Sequence, residues 1–95
     1  MIYNNVLLTV RLDADVPLIR ELLTEQCRLS RKEPGCVQFN VYHSQIDRKF
    51  FLLVESWESS AALDQHRLAR AFLEIYKPRV LPLVDRTPHP CDLVM

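Results

Sequence analysis

Lys49-Phe50-Phe51-Leu52-Leu53-Val54-Glu55-Ser56-Trp57 is the stretch on which the fold turns. It is rich in aromatic and apolar residues, and neither Gly nor Pro interrupts it, so it reads as a strand. Strand side chains alternate between the two faces of a sheet. Phe51 and Leu53 therefore point one way, and Phe50, Leu52 and Val54 the other. Both faces are apolar, and both need cover.

Upstream lies a polar turn, Gln45 to Arg48, and before it an alternating segment, Cys36 to His43. Val37, Phe39 and Val41 share one face there; Gln38, Asn40 and Tyr42 share the other. So short a link predicts a hairpin. Pro34-Gly35 stops an amphipathic helix of about 16 residues, in which Val16, Ile19, Leu22, Leu23, Cys27 and Ser30 recur at helical spacing. An Asp of Asp13-Ala14-Asp15 is the expected cap, with Pro17 in the first turn. Val6 to Leu12 is the expected first strand.

Downstream, Ser59 or Ser60 caps a helix through Ala61, Ala62, Leu63 and His66. A further helical stretch from about Ala69 to Lys77 carries Phe72, Ile75 and Tyr76 and should break at Pro78. The tail contains Pro88 and Pro90, which predict a short last strand, Cys91–Val94, starting late or lying on an edge.

The order is β-α-β-β-α-β, the ferredoxin-like pattern of the α+β class, with an antiparallel sheet and helices on one face. Two helices cover one face of a four-stranded sheet. The other face needs a second copy of the chain, so a homodimer is expected.

The 95 residues suit one domain over residues 1–95. Twelve Lys+Arg balance twelve Asp+Glu, which argues against nucleic acid as a partner. A single Gly excludes a P-loop or a GxGxxG fingerprint. Cys27, Cys36 and Cys91 form no CxxC, and His43, His66 and His89 have no i,i+4 pairing, so no metal site is expected. Three free thiols fit a reducing cytoplasm. No apolar run is long enough to span a membrane, and Met1 to Asn5 lacks a basic leader region.

Glu33-Pro-Gly-Cys-Val-Gln-Phe-Asn-Val41, Leu53-Val-Glu-Ser-Trp-Glu-Ser59 and Ala61-Ala-Leu-Asp-Gln-His66, followed by Phe72, resemble the antibiotic biosynthesis monooxygenase family. The resemblance covers nearly the whole chain. It implies a dimeric α+β barrel with two sheets face to face and an apolar pocket between sheet and helices. It also implies a range of activities: cofactor-free oxygenation of anthrones and quinols, haem degradation, and handling of small signalling molecules.

Within that frame, Trp57 sits where anthrone-type oxygenases carry a tryptophan, in a similar Trp-Glu-Ser context. It is a candidate pocket wall offering an indole N–H, or else a core aromatic. His66 lies where many members carry histidine and is the candidate general base, or else the end of a helix. The haem-degrading pattern falls on Asn5, His66 and Tyr76, and only the asparagine is kept, so no haem and no other cofactor is expected. Tyr76 and Asn5 are candidate polar groups, while Phe39, Leu53, Glu55 and Phe72 are candidate substrate contacts. Glu55 is otherwise a structural carboxylate paired with Arg11, or bonded across the sheet to Asn40 and Tyr42. Arg67, Arg70, Lys77 and Arg79 make the last helix basic, as a solvated face or an entrance for an anion.

The resulting expectation is a cofactor-independent monooxygenase acting on a small electron-rich aromatic, quinol- or anthrone-like. The alternatives are a non-catalytic small-molecule-binding or stress-related dimer, and a cofactor-free isomerase of a small carbonyl compound.

Overall fold

A computed structural model of the protein describes residues 1–95. Its main elements are β1 (Ile2–Val10), α1 (Val16–Ser30), β2 (Cys36–His43), β3 (Phe50–Trp57), α2 (Ser60–His66), α3 (Ala71–Val80) and β4 (Val84–Cys91). The strands form one antiparallel sheet in the order β2-β3-β1-β4. The fold is the α+β, ferredoxin-like one read from the sequence.

The buried stripe of α1 contains every residue expected of it, joined by Gln26. The start of α1 differs. Asp13–Asp15 form a 3-10 turn, and no side chain caps the helix. Asp15 already has helical backbone angles (φ −87°, ψ −6°), whereas a capping side chain needs an extended backbone at its own residue. At the far end, the Arg31 guanidinium donates to Phe39 O at 2.8 Å and to Asn40 Oδ1 at 3.0 Å, tying α1 to β2.

Two strands, β1 and β4, depart from the expected bounds, and β2 keeps its bounds but gains a bulge. β1 begins at Ile2, because the polar run Tyr3-Asn4-Asn5 pairs fully with β3. In β2, Cys36 pairs with Trp57 and Gln38 with Ser56, so Val37 is the extra residue of a bulge. The bulge leaves Val37 exposed while Phe39 is sealed. β4 runs from Val84 to Cys91 rather than Cys91 to Val94, and it pairs with β1 along its length. It is an edge strand. Pro88 and Pro90, two apart, both turn the position of the missing N–H toward the open edge, where no ladder bond is lost.

Pro78 does not end α3. The helix continues to Val80 with wide turns, and the Leu81 N–H bonds back five residues to Tyr76 O. The wider turn moves the carbonyl that a proline ring would strike in an α-helix.

Between sheet and helices, Leu8, Val10, Ile19, Leu23, Phe39, Phe51, Leu53 and Trp57 form a core sealed from solvent. Each such side chain stabilises the fold by about 1.5–3 kcal/mol. On the opposite face, Phe50, Leu52 and Val54 remain half-buried, and no element of the chain lies over them. No helix is long and apolar enough to cross a membrane.

Candidate active site

Two glutamates and a histidine, brought together from distant segments, organise the site. The turn after α1 places Glu33 under α2. Gly35 permits this: its φ is +79°, and a Cβ there would lie 2.5 Å from the Ala62 Cβ. Any side chain would therefore push the turn off the helix. The Glu58 N–H donates to Gly35 O at 2.8 Å and fixes the same junction. Ser59, extended at the N-cap of α2, accepts from the Ala62 N–H at 3.1 Å.

α2 then presents His66, which is 4% exposed. Its Nδ1 lies 2.6 Å from Glu33 Oε1. Burial pushes the Glu33 carboxyl up to about 7. Burial also pushes the His66 imidazole down, and the Glu55 carboxylate partly opposes that. Both effects disfavour a fully ionised pair. With Glu33 ionised, Nδ1–H donates to it and the lone pair of Nε2 is left for other chemistry. Sequence reasoning missed Glu33, because its partner is 33 positions away.

Around this pair the rings are closely packed. The His66 ring lies 4.5 Å from the Trp57 ring and 5.8 Å from both Phe39 and Phe72. Phe72 meets Tyr76 at 5.3 Å. The Trp57 indole N–H is already used, donating to Glu55 Oε1 at 3.1 Å. Glu55 is buried, and burial pushes its carboxyl up against the pull of that bond. Burial likewise pushes the Tyr76 phenol up, against the nearby Arg86. Tyr76 Oη accepts from Arg86 Nε at 2.9 Å, so its own proton stays available.

His66 lines two spaces. Outside is an open cleft of about 470 Å³, walled by Glu33, Pro34, Glu58, Ala62, Gln65 and Leu68 among others. Inside is a chamber of only about 10 Å³, walled by Asn4, Gln26, Glu55, Phe72, Tyr76 and Arg86 among others. The expected apolar pocket between sheet and helices is thus not a ligand-sized cavity here: aromatic side chains fill it, and what remains is small and polar.

The candidate residues separate accordingly. His66, Glu55, Phe72 and Tyr76 meet at the inner chamber. Trp57, Phe39 and Leu53 lie in the sealed core and line neither space. Asn5 faces the other side of the sheet, where its Nδ2 lies 3.4 Å from Cys91 Sγ. Asn4, which sequence reasoning did not single out, stands in the chamber wall in place of Asn5. A shift of one residue along a strand moves a side chain to the opposite face. Glu55 does not pair with Arg11, which binds Asp85 at 3.0 Å, and Asn40 and Tyr42 occupy the face opposite Glu55. The His43 ring stacks on Phe51 at 4.0 Å and bonds to Arg20 and to Arg48 O. The cleft wall contains no Lys or Arg, so the basic residues of the last helix do not form its entrance. No three His, Cys, Asp or Glu side chains converge as a metal site.

The family model for antibiotic biosynthesis monooxygenases matches residues 1–78. Among solved structures, a Bacteroides thetaiotaomicron protein of unknown function, described as a possible oxidoreductase, superposes with a TM-score of 0.89 at 23% identity, over 97% of this chain and 96% of that one. A Nitrosomonas europaea candidate antibiotic biosynthesis monooxygenase gives 0.86 at 17% identity over 98% and 99%. A Mycobacterium tuberculosis protein gives 0.80 at 26% identity, over 100% of both chains. An uncharacterized Synechocystis protein is 43% identical over 37 residues, 39% of this chain, and the match spans about a quarter (25%) of that relative's length. With well over half its length matched by the family model, the chain belongs to the antibiotic biosynthesis monooxygenase family.

Proposed function

We propose that the protein is a cofactor-independent monooxygenase of a small electron-rich aromatic, with His66 as its general base. One observation carries this reading: a buried histidine, held by a carboxylate at 2.6 Å, forms part of the wall of a cleft of about 470 Å³. That volume lies within the usual range of small-molecule sites. Glu33 orients the imidazole and stabilises it when it takes a proton, as carboxylates do beside catalytic histidines. Family membership and neighbours named for monooxygenases support the reaction class.

For an anthrone-like substrate the steps balance. His66 Nε2 takes a proton from the activated CH₂. The carbanion gives one electron to dioxygen, and the radical pair joins as a peroxide anion. His66 returns its proton, and the hydroperoxide loses water to leave a ketone, so CH₂ and O₂ become C=O and H₂O. Tyr76 lines the inner chamber and not the cleft, so its hydroxyl does not meet a substrate bound in the cleft. The packed rings of Trp57, Phe39 and Phe72 hold His66 in place.

In the same proposal the active form is a homodimer joined through Phe50, Leu52 and Val54. These residues form an apolar strip that no element of the chain covers, which supports that pairing.

The test is dioxygen uptake by the purified, metal-free protein with quinols and anthrones. His66→Ala should lower it by about 10²–10⁴, the usual contribution of a general base. Uptake that stays unchanged in His66→Ala would place the base elsewhere. Turnover without dioxygen would identify a carbonyl isomerase instead. The chamber of about 10 Å³ favours a second reading, a binding protein without chemistry. No uptake above buffer for any substrate would select it.

A further inference from the structure

The inner chamber contains a polar atom with nowhere to bond. Gln26 of α1 is 1% exposed, and its Oε1 has no partner within the protein. The same side chain walls the chamber, together with Asn4, Glu55, Tyr76 and Arg86 from three strands and α3. Its volume, about 10 Å³, approaches that of one water-sized probe. Apolar voids of this kind stay dry, whereas voids walled by polar groups fill, because a water there makes two to four hydrogen bonds. Ser30 Oγ, one turn further along α1, is also sealed and without a partner, but it borders no such space.

We propose that this chamber is a binding site for one water molecule, anchored by donation to Gln26 Oε1 and shared with the buried Glu55 carboxyl. The site links α1 to β3 across the middle of the protein and wets the inner side of His66. A ligand group that reaches the chamber must replace this water with a hydroxyl or amino donor, or else leave Gln26 unpaired. The site exists whether or not the protein oxygenates anything, because it rests on packing alone.

The experiment is a high-resolution crystal structure of the full chain, with water–protein NOE spectroscopy in solution. One ordered water is expected within hydrogen-bond distance of Gln26 Oε1, about 2.7–3.2 Å, with a matching NOE to the Gln26 side-chain amide. In Gln26→Met the ordered water should be lost. A dry chamber in the wild type, or a Gln26 amide turned onto a protein donor, overturns the proposal. So does a water that remains fully occupied in Gln26→Met. The wild-type structure and NOE decide the matter even when Gln26→Met fails to fold.

Discussion

The two faces of the sheet are built from the same four strands and have opposite characters. The face toward the helices seals Phe39, Phe51, Leu53, Glu55 and Trp57 and gathers His66, Glu33 and Tyr76 around them. The other face presents Phe50, Leu52 and Val54 half-buried, flanked by Asn5 and an exposed Cys91. Chemistry-bearing groups collect on the first face because burial there shifts their proton affinities and packed rings hold them still. The second face has area without shape, and its apolar strip suits a flat partner.

This contrast can be broken most severely at Trp57. Trp57→Ala should cost about 3–5 kcal/mol, read as a lowered denaturant midpoint, because the cavity it leaves cannot collapse. A cost below about 1 kcal/mol would mean that the covered face is loosely packed. On the open face, Leu52→Asp should spare the fold and weaken the proposed dimer on the order of 100-fold, about 2.7 kcal/mol. Sedimentation equilibrium reads the outcome, and an unchanged association constant would move the dimer interface away from this face.

Asn4 and Asn5 sharpen the comparison, since one peptide unit separates the two faces. Asn4→Ala, which alters the wall of the buried chamber, should lower stability by about 1 kcal/mol, while Asn5→Ala on the open face should change it by less than about 0.5 kcal/mol, both read from denaturant midpoints. Equal effects would contradict the register.

A separate expected effect is one of pH. The Glu33 carboxyl titrates at about 7 in the folded protein, above its value of 4.5 in the unfolded chain. Its contribution to stability is therefore fully present below pH 4.5 and is lost as pH rises toward 7. His66 acts in the opposite sense. Its folded value is lowered from 6.5, so its contribution is present above pH 6.5 and is lost as pH falls toward the folded value. Glu33→Gln should remove the first loss and leave the second. Denaturation of both proteins at pH 5 and pH 7 measures this, and a parallel pH dependence would show that Glu33 keeps an ordinary value.

Much of this molecule was legible in the chain, wherever a local pattern coincided with burial. The stripe of α1 and the hairpin of β2 and β3 follow from periodicity alone. The errors fall where a neighbour decided the outcome. Pro88 and Pro90 allow either a late start or an edge position, and only the sheet order shows that β4 takes the edge and runs through both, where a missing N–H costs no ladder bond. Pro78 looks like a helix stop until α3 adopts wide turns. Glu33 looks like a solvated turn residue until α2 folds His66 onto it.

By itself, the sequence determined the order of the elements and the apolar strip on each side of β3, because hydrophobic spacing and turn residues act over a few positions. Only the tertiary structure decided which asparagine enters the chamber, which carboxylate holds His66, and how little space remains inside. Those depend on strand register and on contacts between residues far apart in the chain, and no local pattern encodes either.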